Sequence, residues 1–222
     1  MGRRFVIGDV HGCARTLRRL VEERLGLTQE DELYLLGDLI DRGPAVREVL
    51  EFLIGLQEAG YAVASIMGNH EDMCLEACRD RSRFYLWMLN GGHATLRSFG
   101  VEDACEIPER YHRFFVALPT HILLPDFALV HAGMDCGQPD PFADRQTLLW
   151  SRSCIVDPAR IGGRRVVSGH TPRTRQEIEA SVAENWIVLD NGCVYRGVAG
   201  FGNLAALSLD TLRLYFQENC DC

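Results

Sequence analysis

Lysine is absent from the sequence: all 23 basic residues are arginine, set against 31 aspartate and glutamate residues. The absence of lysine excludes a P-loop lysine, a Schiff base and a Ser-Lys catalytic pair. Phosphate recognition stays open, because arginine binds phosphate oxygens through paired hydrogen bonds. The formal net charge of −8 argues against broad binding to nucleic acid, which needs a positive surface. We therefore expect no nucleic-acid partner.

Long apolar runs are absent as well. None approaches the roughly 20 residues needed to cross a bilayer, so we expect no membrane partner. The first residues lack the apolar core and cleavage site of a secretory signal peptide, and we expect a cytoplasmic protein. The nine cysteines include no two pairs at zinc-finger spacing, which favours free, mostly buried thiols. A length of 222 residues predicts one domain over residues 1–222.

The order of the apolar segments predicts an α/β fold in the first half of the chain. Strands are predicted at Arg3–Ile7, Glu32–Leu36 and Tyr61–Ile66, and a helical pattern follows each of the first two. Pro44 is expected to open the second helix. A strand–loop–helix order that repeats implies a parallel sheet, with functional loops at the carboxyl ends of its strands.

The second half of the chain is predicted to contain more strands. The segment Glu71–Leu118 is mostly helical by pattern, with breaks at Gly91-Gly92 and near Pro108. The predicted strands that follow are Thr120–Leu124, Phe127–Val130, Arg165–Val167, Trp186–Leu189, Leu204–Leu209 and Leu212–Phe216. A turn at Asp210-Thr211 is expected between the last two. We therefore expect a mixed α/β fold of two packed sheets flanked by helices.

Residues of metal-ligand type stand beside glycine at the ends of these strands. Carboxylate, amide and imidazole groups together suit Mn²⁺, Fe or Zn²⁺ better than Ca²⁺. Four of the seven histidines lie in this setting, whereas His93, His112 and His121 are predicted to be structural or solvated. The five segments are Gly8-Asp9-Val10-His11-Gly12, Gly37-Asp38-Leu39-Ile40-Asp41-Arg42-Gly43, Gly68-Asn69-His70-Glu71, His131-Ala132-Gly133 and Gly169-His170-Thr171.

Taken in order, these segments resemble the signature of the PPP-type serine/threonine phosphatases, within the calcineurin-like metallophosphoesterases. The short length and Trp150-Ser151-Arg152 resemble the small bacterial and phage members. The likeness runs from Asp9 to His170. It implies the calcineurin-like metallophosphoesterase fold, with two packed mixed β-sheets flanked by helices.

The resemblance also implies a dinuclear metal centre, with two divalent cations for which Mn²⁺ is the first choice and Fe or Zn²⁺ the alternatives. A hydroxide shared by the two cations would attack phosphorus in line with the leaving oxygen. The implied ligands are Asp9 and His11 at the first metal, Asp38 bridging both, and Asn69, His131 and His170 at the second.

Four further residues receive catalytic roles from the resemblance. His70 is the implied general acid, and Asp41 would orient its imidazole. Arg42 and Arg152 would bind the phosphoryl oxygens, a contact that Asn69 would share.

One position departs from the family pattern. Arginine usually stands immediately before Gly-Asn-His-Glu, and here that position is Met67. If one phosphate-binding arginine is simply absent, phosphomonoesters should bind more weakly, by very roughly 1–3 kcal/mol. Alternatively, an arginine from elsewhere in the chain replaces it, or Met67 only packs beneath the loop.

The leading hypothesis is therefore a phosphomonoesterase that acts on phosphorylated proteins or small phosphoesters. A bis(5′-nucleosyl)-tetraphosphatase is the alternative enzyme, and a binding module without turnover is the alternative from another class. Asp41 before Arg42, and Glu71 where aspartate would otherwise stand, favour the protein phosphatases. Asp190-Asn191-Gly192 is predicted to be a turn, with a contact to the site as the alternative.

Overall fold

Nine strands form two mixed sheets in the computed structural model, which describes residues 2–221. In chain order the strands are β1 (Arg4–Ile7), β2 (Glu32–Leu35), β3 (Ala62–Ser65), β4 (His121–Leu123), β5 (Phe127–Val130), β6 (Arg165–Ser168), β7 (Trp186–Val188), β8 (Asn203–Ser208) and β9 (Leu214–Glu218).

Eight α-helices lie within the same residues: α1 (Ala14–Arg18), α2 (Val46–Glu58), α3 (Asn69–Ala77), α4 (Arg81–Trp87), α5 (His93–Phe99), α6 (Glu109–Ala117), α7 (Arg145–Trp150) and α8 (Arg175–Ser181). Helix α1 continues as a π-helix over Arg19–Leu25, and α4 continues likewise over Met88–Gly92. Short 3₁₀ helices cover Ala104–Glu106 and Pro158–Ile161. None of the helices described here is long and apolar enough to cross a membrane.

The first sheet has the strand order β3-β2-β1-β8-β9. Strands β1, β2 and β3 are parallel, as the repeated strand–helix order predicted, and β8 and β9 add an antiparallel edge. The second sheet has the order β4-β5-β6-β7, in which only β4 is antiparallel to its neighbour. The prediction of two mixed sheets flanked by helices is therefore confirmed.

Alternation of side chains along β1 explains how the layers pack. Val6 points to one face and joins a buried cluster with Leu129 and Val167 of the second sheet. Phe5 and Ile7 point to the other face and join the larger cluster formed with the helices. The two sheets thus pack face to face, and the helices α1 and α2 cover the outer face of the first sheet.

The predicted boundaries differ from the observed ones where turns intervene. Helix α2 begins at Val46 rather than Pro44, because the backbone of Ala45 is not helical, with a φ of −128° and a ψ of 51°. The Ala45 N–H donates to the carbonyl of Gly12. The last strand begins at Leu214, since Leu212 has a φ of 58° in the hairpin turn. The predicted break at Gly91-Gly92 is confirmed, with a φ of 107° at Gly91. Helices α7 and α8 were not predicted.

The cysteines agree in part with the prediction. Eight of them fall among the described residues and all eight are free, but only four are buried. The ninth, Cys222, lies outside the described residues.

Asp31 joins the start of β1 to the start of β2. Its buried carboxylate accepts hydrogen bonds from the Arg3 backbone and guanidinium, and from the backbone and hydroxyl of Thr28. The hydrogen bond with the Arg3 guanidinium lowers the pKa of Asp31 by more than burial raises it. A carboxylate with a lowered pKa in the folded chain stabilises the fold at pH values above its unfolded pKa, and this contribution fades as pH falls below that value.

We therefore expect Asp31→Asn to lower the free energy of unfolding by about 2 kcal/mol at pH 7. The difference from the wild type should shrink as pH falls below about 4, and urea denaturation at several pH values measures it. Asp126→Asn is the matched control, because Arg4 keeps Asp210 as a partner and the exposed pair contributes about 1 kcal/mol or less. A difference between Asp31→Asn and the wild type that does not change with pH would contradict this account.

Candidate metal centre

Every predicted metal ligand follows the carboxyl end of a strand. Asp9 and His11 follow β1, Asp38 follows β2, and Asn69 opens helix α3 after β3. The second sheet contributes His131 after β5 and His170 after β6. Since the two sheets pack face to face, these loops meet along one edge of the molecule.

The backbone of these loops is held in an unusual conformation. Six non-glycine residues between positions 2 and 221 have a positive φ, and five of them are predicted site residues with φ between 45° and 69°. Such conformations are sparsely populated for residues with a side chain, and they persist where the surroundings enforce them. The five are His11, Asp38, Asp41, Arg42 and His170.

Glycine beside the ligands permits close approach of neighbouring segments. A Cβ atom on Gly68 would overlap the Asp38 carboxylate, and one on Gly169 would overlap the Asp9 carboxylate. These two positions require glycine because a carboxylate of another loop occupies the space of the missing side chain.

Four potential donor atoms converge at one side of Asp38. The His131 Nε2 atom lies 2.9 Å from Asn69 Oδ1, 3.2 Å from His170 Nδ1 and 3.4 Å from Asp38 Oδ1. His131 donates its Nδ1 hydrogen to the carbonyl of Leu36 over 2.7 Å, so Nε2 of the neutral ring presents a lone pair. Lone pairs of oxygen and nitrogen that face one another at these distances fit a bound cation.

The protonation states agree with this interpretation. Burial lowers the pKa of His131, and burial together with the neighbouring His131 lowers the pKa of His170 to about 4. Both imidazoles are therefore neutral near pH 7, which is the form that binds a metal ion.

A second donor group lies on the other side of Asp38. The Asp38 Oδ2 atom lies 3.6 Å from His11 Nε2 and 3.8 Å from His70 Nε2. His11 donates its Nδ1 hydrogen to the carbonyl of Ile40 over 2.8 Å, which leaves Nε2 as an acceptor. Arg42 lies against both rings, with Nη1 2.6 Å from His11 and Nη2 2.9 Å from His70. Asp38 thus belongs to both donor groups.

Asp9 lies beside the two donor groups, but its carboxylate oxygens are not close enough to the other donor atoms to belong to either group. Both of its carboxylate oxygens accept from the backbone N–H of His170, at 3.0 Å. Burial, followed by the charges of Asp190 and Asp38, raises the pKa of Asp9. Within the described part of the chain, His70 stands in the second donor group, with His11 and Asp38, where the resemblance implies Asp9.

His70 is held on its other side by a buried hydrogen-bond network. Its Nδ1 donates to Asp41 Oδ2 over 2.6 Å, and Asp41 in turn accepts from Trp87 Nε1 at 2.8 Å and Thr95 Oγ1 at 2.5 Å. Burial lowers the pKa of His70, but the charge of Asp38 and the bond to Asp41 raise it more, and the net direction is upward. Trp87 and Thr95 were not predicted as site residues, because only the tertiary contact with Asp41 reveals them.

Glu71 has a structural role that its place in the motif did not predict. Its carboxylate accepts from four backbone N–H groups, those of Asp38 at 3.0 Å, Leu39 at 2.8 Å, Ile40 at 3.3 Å and Gly68 at 2.9 Å. Burial and the Asp38 charge raise the pKa of Glu71 to about 7. One side chain therefore fixes the loop that carries Asp38 against the loop that carries Asn69.

The remaining predicted residues lie at the border of the centre. Arg152 is exposed, and its charge contributes to the lowered pKa of His170. Asp190 accepts from the Gly192 N–H at 2.7 Å, as the predicted turn requires. It is also buried, close enough to Asp9 and Asp38 for its charge to interact with theirs. The three histidines predicted to be structural or solvated belong to neither donor group.

Replacement of Glu71 by glutamine tests how the donor groups are held. The amide would turn an NH₂ group towards backbone N–H donors, so the Asp38 loop should lose its position. We expect Glu71→Gln to weaken Mn²⁺ binding by about tenfold to a hundredfold, measured by calorimetry. The control is Glu76→Gln, which removes a half-exposed carboxylate paired with Arg79, just beyond the end of α3. Equal Mn²⁺ affinity in the two variants would contradict the role assigned to Glu71.

Comparison with known proteins gives these groups a context. The chain is 31% identical over 200 residues to "Serine/threonine-protein phosphatase 1" of Salmonella typhimurium, with 87% of this chain and 88% of the relative covered. It is 26% identical over 215 residues to "Bis(5′-nucleosyl)-tetraphosphatase PrpE [asymmetrical]" of Bacillus velezensis, with 86% and 84% covered. A solved serine/threonine phosphatase from Saccharomyces cerevisiae shares the fold, with a TM-score of 0.67, 15% identity, and 98% of this chain and 80% of that chain covered.

The sequence model of one family, described as "Calcineurin-like phosphoesterase", matches residues 2–186. A single domain over all of 1–222 stays a prediction. The chain belongs to the calcineurin-like phosphoesterase family, and it is a metallophosphoesterase by that membership.

Proposed function

We propose that the chain is a metal-dependent phosphomonoesterase that acts on phosphoserine or phosphothreonine in proteins. The observation that carries the proposal is the position of His70, whose imidazole borders the metal-donor groups and is fixed by Asp41 at 2.6 Å. An acid in this place can give a proton to the oxygen that leaves phosphorus. The proposed substrates are phosphorylated proteins and small phosphoesters, and the proposed location is the cytoplasm.

The residues present fit two divalent cations, for which we propose Mn²⁺, with Fe or Zn²⁺ as alternatives. Asp38 would be shared, because each of its oxygens faces a different donor group. When bound, the cations would lower the pKa of a water molecule and stabilise charge on the phosphoryl oxygens. The proposed ligands are Asp9, His11 and Asp38 for one cation, and Asp38, Asn69, His131 and His170 for the other.

The chain's own residues supply the proton and the orientation. Asp41 holds the His70 ring in one orientation, since Trp87 and Thr95 fix the carboxylate from the other side. His70 would then pass a proton to the leaving alkoxide. Arg42 Nη2 lies 2.9 Å from His70 Nε2, and both groups cannot donate there at once, so Arg42 would turn its N–H donors to the phosphoryl oxygens when His70 carries the acid proton. Arg152 and Asn69 are the other proposed phosphate contacts.

The second candidate function is hydrolysis of dinucleoside tetraphosphates. The similarity to a Bacillus velezensis relative with that name, along most of both chains, supports it. The similarity to the Salmonella phosphatase, together with Asp41 and Glu71 in the second and third motifs, supports phosphoprotein hydrolysis. A binding module without turnover is disfavoured, because every expected ligand type and His70 are present.

The role of His70 can be tested with two esters that differ in the leaving group. With Mn²⁺ restored to metal-stripped protein, we expect His70→Asn to lower kcat on phenyl phosphate by about 10²–10⁴-fold. The loss on p-nitrophenyl phosphate should be much smaller, because p-nitrophenolate is a weaker base and leaves without a proton. Equal losses on both esters, together with weaker Mn²⁺ binding, would instead make His70 a metal ligand. His93→Asn is the matched control, since His93 is exposed at the start of α5.

The substrate class can be decided by direct competition. We expect kcat/KM for phosphoserine and phosphothreonine peptides to exceed that for diadenosine tetraphosphate by about tenfold or more, measured with the same Mn²⁺-loaded protein. His70→Asn protein, purified in parallel, reports any contaminating activity. A preference for the tetraphosphate would replace the phosphoprotein proposal by its alternative.

A further inference from the structure

Met67 stands immediately before Gly68 and Asn69, where the family pattern has arginine. Its side chain is buried, at 3% exposure, beside the loop that carries Asn69. A thioether cannot donate a hydrogen bond to a phosphoryl oxygen. If this position still served phosphate binding, the donor would have to come from another part of the chain.

An arginine from a distant segment reaches this position. Arg145 is the first residue of α7, 78 positions further along the chain, and its Nη2 atom lies 2.8 Å from Met67 Sδ. The Sδ atom of methionine and the Cδ atom of arginine are the same number of bonds from the backbone. The Arg145 guanidinium therefore lies in the space that the guanidinium of an arginine at position 67 would reach.

The surroundings leave this guanidinium available to a ligand. Arg145 pairs with Asp72 over 2.6 Å, and their side chains are 49% and 23% exposed. An ion pair that is open to water is held weakly, so an incoming dianion can replace the carboxylate. A cavity of about 430 Å³ lies beside the pair, and Arg83 and Trp150 are among the residues that line it.

The pair also lies close to the metal-donor groups. Asp72 is one turn after Asn69 on α3, so the two side chains share a face of that helix. Trp150, at the wall of the cavity, is two positions before Arg152. Arg145 thus pairs with a residue one helical turn from a proposed metal ligand, and it lines the same cavity as Trp150.

We propose that Arg145 binds the substrate phosphoryl group in place of the arginine that is missing at position 67, and that the phosphoryl group displaces Asp72 from Arg145 when it binds. This inference rests on the proposed phosphatase function. It makes Arg145 a residue that binds substrate without taking part in proton transfer. Its loss should therefore raise KM and leave kcat nearly unchanged.

The experiment is a double-mutant cycle in Mn²⁺-loaded protein, with Arg145→Gln, Met67→Arg and the combination of the two. Two quantities are measured: KM and kcat for p-nitrophenyl phosphate, and the Kd of inorganic phosphate by calorimetry. We expect Arg145→Gln to raise KM and Kd by about tenfold to a hundredfold, with kcat within about threefold of the wild type. Met67→Arg should restore both constants in the Arg145→Gln background, and should change little when Arg145 is present.

Three further variants keep the test decisive. Arg145→Lys should have intermediate constants, because it keeps the charge but not the paired donors. Asp72→Asn should lower KM, since it removes the competing carboxylate. Arg113→Gln is the control, because it breaks an ion pair of 2.5 Å with Glu109 on α6 and should change neither constant.

Two results would overturn the inference. One is an Arg145→Gln variant whose KM and phosphate Kd match those of Arg113→Gln. The other is a failure of Met67→Arg to restore either constant in folded double-variant protein. If the wild type hydrolyses no phosphomonoester, the proposed function fails, and the phosphate Kd values still decide the role of Arg145.

Discussion

Besides the Asp41 carboxylate that holds His70, four carboxylates are buried at the carboxyl ends of the strands, and the cost of burying their charge governs the chemistry of this edge of the molecule. Asp9, Asp38, Glu71 and Asp190 are each no more than 3% exposed. Burial raises the pKa of Asp9, Glu71 and Asp190. Burial raises the pKa of Asp38 as well, but three neighbouring histidines lower it by more, so the net direction is downward. Buried negative charge is unfavourable without a compensating cation. The buried carboxylates therefore destabilise the fold, and the same carboxylates favour the binding of metal ions.

Hydrogen bonds from several parts of the chain offset this destabilisation and hold the loops in place. The Glu71 carboxylate accepts hydrogen bonds from four backbone N–H groups, which satisfy its oxygens and hold the Asp38 loop. The hydrogen bond from His131 to the carbonyl of Leu36 ties a loop of the second sheet to the end of β2 in the first. Positive φ at Asp38 and His170 is tolerated under these restraints. Rigid loops of this kind keep lone pairs facing one another, which is the preorganisation that a metal site needs.

The residues proposed to bind substrate are distributed differently from the proposed metal ligands. The proposed ligands come from short motifs, whereas Arg145 lies on a helix outside them and contacts Met67. A phosphoryl group can be bound by a guanidinium from any direction, because the charge and the N–H geometry matter more than the segment that carries them. Such freedom is consistent with the similarity of this chain to relatives that are named for different phosphoester substrates.

Local pattern in the sequence was enough to predict the three parallel strands, the positions of the loops that carry the candidate ligands and residue types that could hold a cation. These features depend on the periodic spacing of apolar side chains, on the positions of glycine and on residue type, and each of these can be read from a short stretch of consecutive residues. The contacts of Trp87 and Thr95 with Asp41 could not be predicted, because they join positions that are 46 and 54 residues apart. The same holds for the four N–H groups on Glu71 and for Arg145 beside Met67. The sequence by itself determined which atoms can bind a metal, while the tertiary structure decided which distant side chains orient them, because such partners are selected by packing in space rather than by spacing along the chain.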